Sequence, residues 1–215
     1  MNRRLVVVCT ALIAVALFST GVWYYSGIKA REAANATADE NTFVRAHSPV
    51  LGRADAPVTI VEFFDPSCEA CRAFFPLVKS ALEAYPEELR LVIRYTPFHE
   101  GSDEAVRILE AARKQDKFEP VLTALMEKQP EWATHGQPNL ERAWGIAGEQ
   151  GLDVERGRRD GAASDVDEVL RMDVADVEAN NVKQTPTFFV NGKPLVEFSR
   201  QGFIDLVESE IKRLR

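Results

Sequence analysis

Basic charge is in short supply in this chain, where 26 Lys and Arg face 33 Asp and Glu for a net charge of −7. A protein that reads nucleic acid needs a basic face to meet phosphate, so that class of partner is excluded. Histidine is scarcer still. His47, His99 and His135 are scattered, and with one close pair of cysteines they fall short of the four ligands of a structural zinc site, so His99 and His135 read as plain loop residues. No strand pattern occurs between Ser102 and Asn180, and nothing resembles a dedicated dimerisation domain. Hydrophobic residues are not lacking. At 46% of 215 positions they fill one core of ordinary size and leave an appendage.

The appendage is N-terminal. Leu5 to Tyr25 is an uncharged, mostly apolar run behind Arg3-Arg4 that closes on Trp23-Tyr24-Tyr25. About 20 such residues cross a hydrocarbon core, with the basic side cytoplasmic and the aromatic rings at the far interface. Residues 1–26 are therefore expected to be a single-pass anchor that exports the rest, or else a signal peptide cut near Ala36-Thr37-Ala38. The distance from the apolar run to that cut favours the anchor. Residues 27–47 read as a tether too short for a coiled coil, with Phe43-Val44-Arg45 as a short edge strand. Cys9 sits inside the apolar run without the small residues of a lipoprotein cleavage site before it. It reads as an inert buried thiol, although an odd cysteine leaves an intermolecular disulfide open.

The rest is organised around Val58 to Phe75. Val58-Thr59-Ile60-Val61-Glu62-Phe63-Phe64 is too continuously apolar for anything but a central strand, after turns at Ser48 to Gly52 and Asp55-Ala56-Pro57. It breaks at Asp65-Pro66, and Phe74, Phe75, Leu77, Val78 and Leu82 then follow helical spacing as far as Tyr85-Pro86. Cys68 and Cys71 thus fall in the first turn of a helix, where unpaired N–H groups and the macrodipole favour an anion. A thiolate is an anion, so Cys68 is the expected nucleophile and Cys71, a turn inside, the resolving thiol. Glu62 stands out because a carboxylate in a buried strand is costly unless paired or protonated. Either it has a task there, or the period of two turns it to solvent at the strand end.

Leu89 to Tyr95 is predicted to be the parallel neighbour of that strand. From Ser102 to Asn180 the apolar residues keep helical spacing: Val106, Leu109, Ala112; Phe118, Val121, Leu122, Leu125; Leu140, Ala143, Trp144, Ala147; and a last helix over Asp165 to Ala179. Trp132 and Trp144 read as core aromatics of this region. Phe188-Phe189-Val190, an Asn191-Gly192 turn, Lys193 to Val196 and a closing helix over Gly202 to Leu214 complete the chain.

The Cys68-Glu69-Ala70-Cys71 motif after a strand, with Gln184-Thr185-Pro186-Thr187-Phe188-Phe189-Val190-Asn191-Gly192 far downstream, resembles the thioredoxin superfamily. Within it the likeness is to the DsbA-type thiol:disulfide oxidoreductases, over roughly residues 43–215. The resemblance implies an α/β thioredoxin fold over 48–215 with a helical insertion at about 102–180, behind the transmembrane helix. It implies that Pro186 is cis and packs against the Cys68–Cys71 loop, that the backbone of Thr185 is offered to a substrate peptide, and that Glu62 moves the proton of Cys71. A redox-active Cys68–Cys71 disulfide would then serve with no further cofactor. The implied role is exchange of disulfides with exported proteins or peptides on the periplasmic side of a bacterial inner membrane, recycled by a membrane redox partner. Oxidation, isomerisation and reduction all stay open. One departure bears on direction: the family commonly has Pro-His between its cysteines, and Glu69-Ala70 here is expected to raise the Cys68 pKa and make the disulfide less oxidising. Thr185 points the same way, being associated with the isomerase and reductase branches. Two alternatives remain, a dithiol that binds copper or zinc in the cell envelope and a binding module with a static disulfide.

Overall fold

The continuous apolar run is the middle of a sheet. The computed structural model describes residues 42–214, in which β1 (Val50–Gly52), β2 (Val58–Phe64), β3 (Leu89–Tyr95), β4 (Thr187–Val190) and β5 (Lys193–Pro194) stand in the order β1-β3-β2-β4-β5. β2 and β3 are parallel, as expected, with Val58 opposite Leu89 and Phe64 opposite Tyr95, and the other pairings are antiparallel. Strands covered on both faces have no polar side to show, which is why these two read as unbroken apolar stretches.

Period two sorts the β2 side chains. Val58, Ile60 and Phe64 face the larger core, shared with Cys68, Cys71 and Phe75 of α1 (Glu69–Ala84), while Val61 and Phe63 face a smaller core on the other side. Glu62 has the parity of Ile60 and Phe64, so it points at the cysteines and not at solvent. The larger core continues into the insertion: α2 (Ser102–Arg113), α3 (Phe118–Glu127), α4 (Gln129–Trp132), α5 (Leu140–Glu149), α6 (Val154–Gly161) and α7 (Ser164–Ala179). Trp132 and Trp144 are buried in it. Phe203, Val207 and Ile211 of the closing helix α8 (Arg200–Lys212) pack against the same core.

On the opposite face, Arg94 of β3 is fully buried and paired with Asp173 (2.7 Å) and Asp176 (2.5 Å) of α7. Asp176 also holds Arg45, and Asp173 holds His47 at 2.7 Å. Arg94 further donates to the carbonyl of Thr42. These ion pairs fasten residues 42–47 to the body.

Three local expectations differ from the structure. Phe43 to Arg45 is not a strand: Val44 is a bend, and Phe43 is buried with its ring 4.4 Å from that of Phe189 and 6.3 Å from that of Phe63. The packed body therefore begins by Thr42 and not at 48, because one aromatic and two ionic anchors outweigh a polar composition. The edge strand is instead Val50–Gly52, placed among the turns because three residues are too few to show a period. α6 was not anticipated, since its sequence is almost devoid of apolar side chains. It forms because Asp153 caps it, accepting from the Arg156 amide at 3.0 Å, and because Gly157 lets it lie against Trp144 and Leu152. The expected membrane anchor at 5–25, the cleavage site, Cys9 and the tether up to residue 41 lie outside the described residues. Among the described residues no helix is long and apolar enough to cross a membrane.

Candidate active site

The strand-to-helix turn is built by Asp65. Its carboxylate is fully buried and accepts from the Ser67 amide (2.8 Å), the Ser102 hydroxyl (2.5 Å), and the amides of Phe98 (2.8 Å) and His99 (3.1 Å). His99 Nδ1 lies 2.6 Å from the same carboxylate, and since an ionised carboxylate only accepts, Nδ1 carries a proton. One side chain thus locks the turn after β2 to the loop after β3. From the insertion, the buried Gln129 of α4 donates Nε2 to the carbonyls of Pro66 (2.8 Å) and Cys68 (3.0 Å). The loop carrying the cysteines is held from two sides by groups that are not themselves reactive.

Cys68 is the N-cap of α1, its backbone extended, and it keeps 6% of its surface exposed where Cys71 keeps none. Both are free thiols. Cys68 Sγ lies 3.2 Å from the carbonyl oxygen of Thr185, and the Thr185–Pro186 bond is cis. The two motifs separated by more than a hundred residues therefore meet at one sulfur. The Cys68 thiol is lowered to about 5: the hydrogen bond from Cys71 is the largest cause, burial opposes it, and the side chain of Thr185 and the amides of Cys71 and Ala70 add to the lowering. The resulting charge sits at a helix N-terminus, where it is favoured. Burial pushes Cys71 well up, and the charges of Cys68 and Glu62 push it further.

Glu62, only 2% exposed, is raised to about 8, by burial first and by the Cys68 charge second. The solvent-facing alternative for this residue is thereby removed. The carboxylate of Glu69 is well exposed and turned toward His135, whose Nε2 is 3.6 Å away. Water screens such a charge, whereas the amides and the Cys71 thiol act on Cys68 at contact distance, so the thiol is lowered on balance with Glu69 beside it.

Asp65, His99 and Gln129 were not singled out in the sequence as parts of the site. Asp before Pro at the end of a strand is a turn signal, and a loop following the neighbouring parallel strand shares the same carboxyl edge, so two of the three left a local trace. Gln129 left none. Among the described residues no group of three or more His, Cys, Asp or Glu side chains is placed to hold a metal ion.

Comparison with known proteins agrees with this geometry. The thioredoxin family model matches residues 45–205. A thioredoxin-like oxidoreductase of Silicibacter pomeroyi DSS-3 superposes with a TM-score of 0.69 at 35% identity, covering 80% of this chain and 96% of that one. The disulfide bond formation protein D of Bacillus subtilis (strain 168) is 28% identical over 181 residues, 76% of this chain and 77% of that protein. A Na(+)/H(+) antiporter NhaA of Herminiimonas arsenicoxydans is 34% identical over 146 residues, 68% of this chain. The matched part is only 22% of that antiporter, and the chain spans no more than 25% of the further antiporters it matches. None of these relatives points to copper or zinc handling.

Proposed function

The chain belongs to the thioredoxin family, among its DsbA-like thiol:disulfide oxidoreductases, and from that premise we propose that it exchanges disulfides with exported proteins through Cys68 and Cys71. The observation that carries the proposal is a single sulfur, Cys68 Sγ, slightly exposed at a helix N-terminus and 3.2 Å from the backbone of Thr185 beside cis-Pro186.

In the oxidised enzyme, a substrate thiolate attacks Cys68 Sγ. The Cys68–Cys71 bond breaks, and the electron pair leaves on Cys71. That sulfur is poorly solvated and has a raised pKa, so it takes a proton, which neutral Glu62 is placed to supply. A second substrate thiolate then attacks the substrate sulfur of the mixed disulfide and releases Cys68 as its stable thiolate. The substrate loses two electrons and the enzyme gains them, and the reverse sequence reduces a substrate disulfide. The free edge at Thr185 receives the substrate backbone beside Cys68 in the manner of strand addition. Residues 5–25 hold the domain at the outer face of a bacterial inner membrane, where a membrane redox partner recycles the dithiol.

At about 5 the Cys68 pKa lies between the roughly 7 of thioredoxin and the roughly 3.5 of DsbA. We place the potential between about −270 and −120 mV accordingly. Equilibration with glutathione measures it, and alkylation of Cys68 against pH should show a midpoint near 5. A protein that neither reaches equilibrium with glutathione nor reduces insulin, and whose Cys68 alkylates no faster at pH 7 than Cys71, would refute the exchange reading.

A further inference from the structure

The chain between α4 and α5 arches over the cysteine turn, and both feet of the arch are fixed. At one foot Trp132 is fully buried with its indole donating to the Leu125 carbonyl at 2.9 Å, and Gln129 holds the carbonyls of Pro66 and Cys68. At the other, the Asn139 amide closes back on the Trp132 carbonyl at 2.7 Å, and Pro138 packs over Gly101, where a Cβ would lie 2.9 Å from Pro138 Cγ. The tip between them reaches the turn. His135 Nε2 is 3.6 Å from a carboxylate oxygen of Glu69, and its ring is 5.7 Å from that of His99, centroid to centroid.

Beneath the tip is a cavity of about 60 Å³. Its wall is polar, with Ser67, His99, Glu100, Thr134 and His135, and Gly136 adds no bulk to it. Ser67 and Glu69 are the two chain neighbours of Cys68: the first lines the cavity, and the second touches the His135 that lines it. None of residues 184–187 lines it, so it is distinct from the strand edge at Thr185. The Ser67 hydroxyl is buried and has no protein partner. An unpaired buried hydroxyl is unfavourable, and a substrate atom that bonds it removes the penalty. His99 Nδ1 is committed to Asp65, which leaves Nε2 as an acceptor in the neutral ring.

We propose that this cavity is a specificity pocket for the substrate residue next to the reacting cysteine, and that it takes a small side chain able to donate and accept a hydrogen bond: Ser, Thr or Asn. The proposal rests on the exchange reading above and names the feature by which that site selects its substrates. At about 15 Å³ for each water-sized group, the cavity holds about four of them. Asn and Leu have equally many side-chain heavy atoms, so size does not separate them. Hydrogen bonding does, because a carboxamide pairs with the polar wall and Leu leaves that wall dry and unpaired.

The test is the rate at which the full-length disulfide protein oxidises short cysteine peptides with Asn or Leu directly before or directly after the cysteine. Each rate is divided by that peptide's rate with oxidised glutathione, which cancels intrinsic thiol reactivity. Asn should exceed Leu at least about fivefold at one of the two positions, and a ratio below about twofold at both overturns the proposal. Replacing Thr134 to Gln137 by two glycines keeps both feet and opens the pocket, so the ratio should fall below about twofold; a ratio that persists overturns the proposal. Ser67→Ala removes one unpaired hydroxyl and tests the pocket even if the shortened arch does not fold. It should lower the Asn:Leu ratio about threefold, and an unchanged ratio overturns the proposal.

A wild-type protein that exchanges with no thiol removes the exchange reading by itself. The pocket is then judged without turnover, on the full chain carrying Cys9→Ser and Cys71→Ser, whose only thiol is Cys68. Coupled through Cys68 to thiopyridyl-activated Asn or Leu peptides, it should unfold at a higher urea midpoint as the Asn conjugate, and equal midpoints overturn the proposal.

Discussion

Glu62 shows how one side chain can favour chemistry over stability. Its carboxyl is raised from an ordinary 4.5 to about 8, so the native state holds this proton more tightly than the unfolded chain does. The sign follows: the stability tied to that proton is complete below about 4.5, falls as pH rises, and is fully lost once pH passes about 8. Glu62→Gln has no proton to lose, so the reduced variant should be more stable than the wild type at pH 9, by about 2–4 kcal/mol, with the gap closing below pH 4.5. Urea unfolding at the two pH values checks it. The same variant should resolve mixed disulfides about 100-fold more slowly, because no neutral acid remains beneath Cys71. A variant equally stable at pH 9 would mean that Glu62 is solvated, against its 2% exposure.

At the scale of elements, the helical insertion takes part in the site. α4 is a single turn, yet its Gln129 satisfies the carbonyls of Pro66 and Cys68, which flank Ser67 in the reactive loop. Gln129→Ala removes both donors in a dry setting and should cost about 1–3 kcal/mol, read as a lowered denaturant midpoint with unchanged slope. Protease cleavage around Ser67 should quicken in parallel. The pairing of β3 with α7 is stiffer: Arg94→Ala strands Asp173 and Asp176 without their buried cation and should cost about 3–5 kcal/mol. These elements also mark the limit of what the sequence shows. β2, α1 and β3 were legible because burial on both faces and helical spacing leave local patterns. Cys68 and Cys71 were legible from their spacing at the start of a helix, and Pro186 only through the family resemblance of the segment around it. α6 was not, since caps and a close glycine contact form it without an apolar stripe, and Gln129 was not, since its partners lie more than 60 residues away and only the packed insertion brings them near.

For the whole molecule, the groups of the site fall within a single span of chain. Glu62, Asp65, Cys68, Cys71, His99, Gln129, Thr185 and Pro186 all lie between residues 62 and 186. The domain is closed by residues 42–48 on one face of the sheet and by α8 on the other. Relatives in which the matched stretch is only 22% of a longer protein carry a similar segment in another setting. Residues 42–215 alone should therefore unfold cooperatively and keep the glutathione equilibrium of the full chain within about twofold, a difference below 0.5 kcal/mol. The full chain should differ in location and not in potential: Leu5 to Tyr25 should keep it with membranes through high salt and alkaline carbonate and release it only to detergent. A salt-extractable full chain would rule out the anchor and leave the domain untouched. A fragment that exchanges with glutathione differently from the full chain would show that the N-terminal segment reaches the sulfur, and the site would then have to be redrawn to include it.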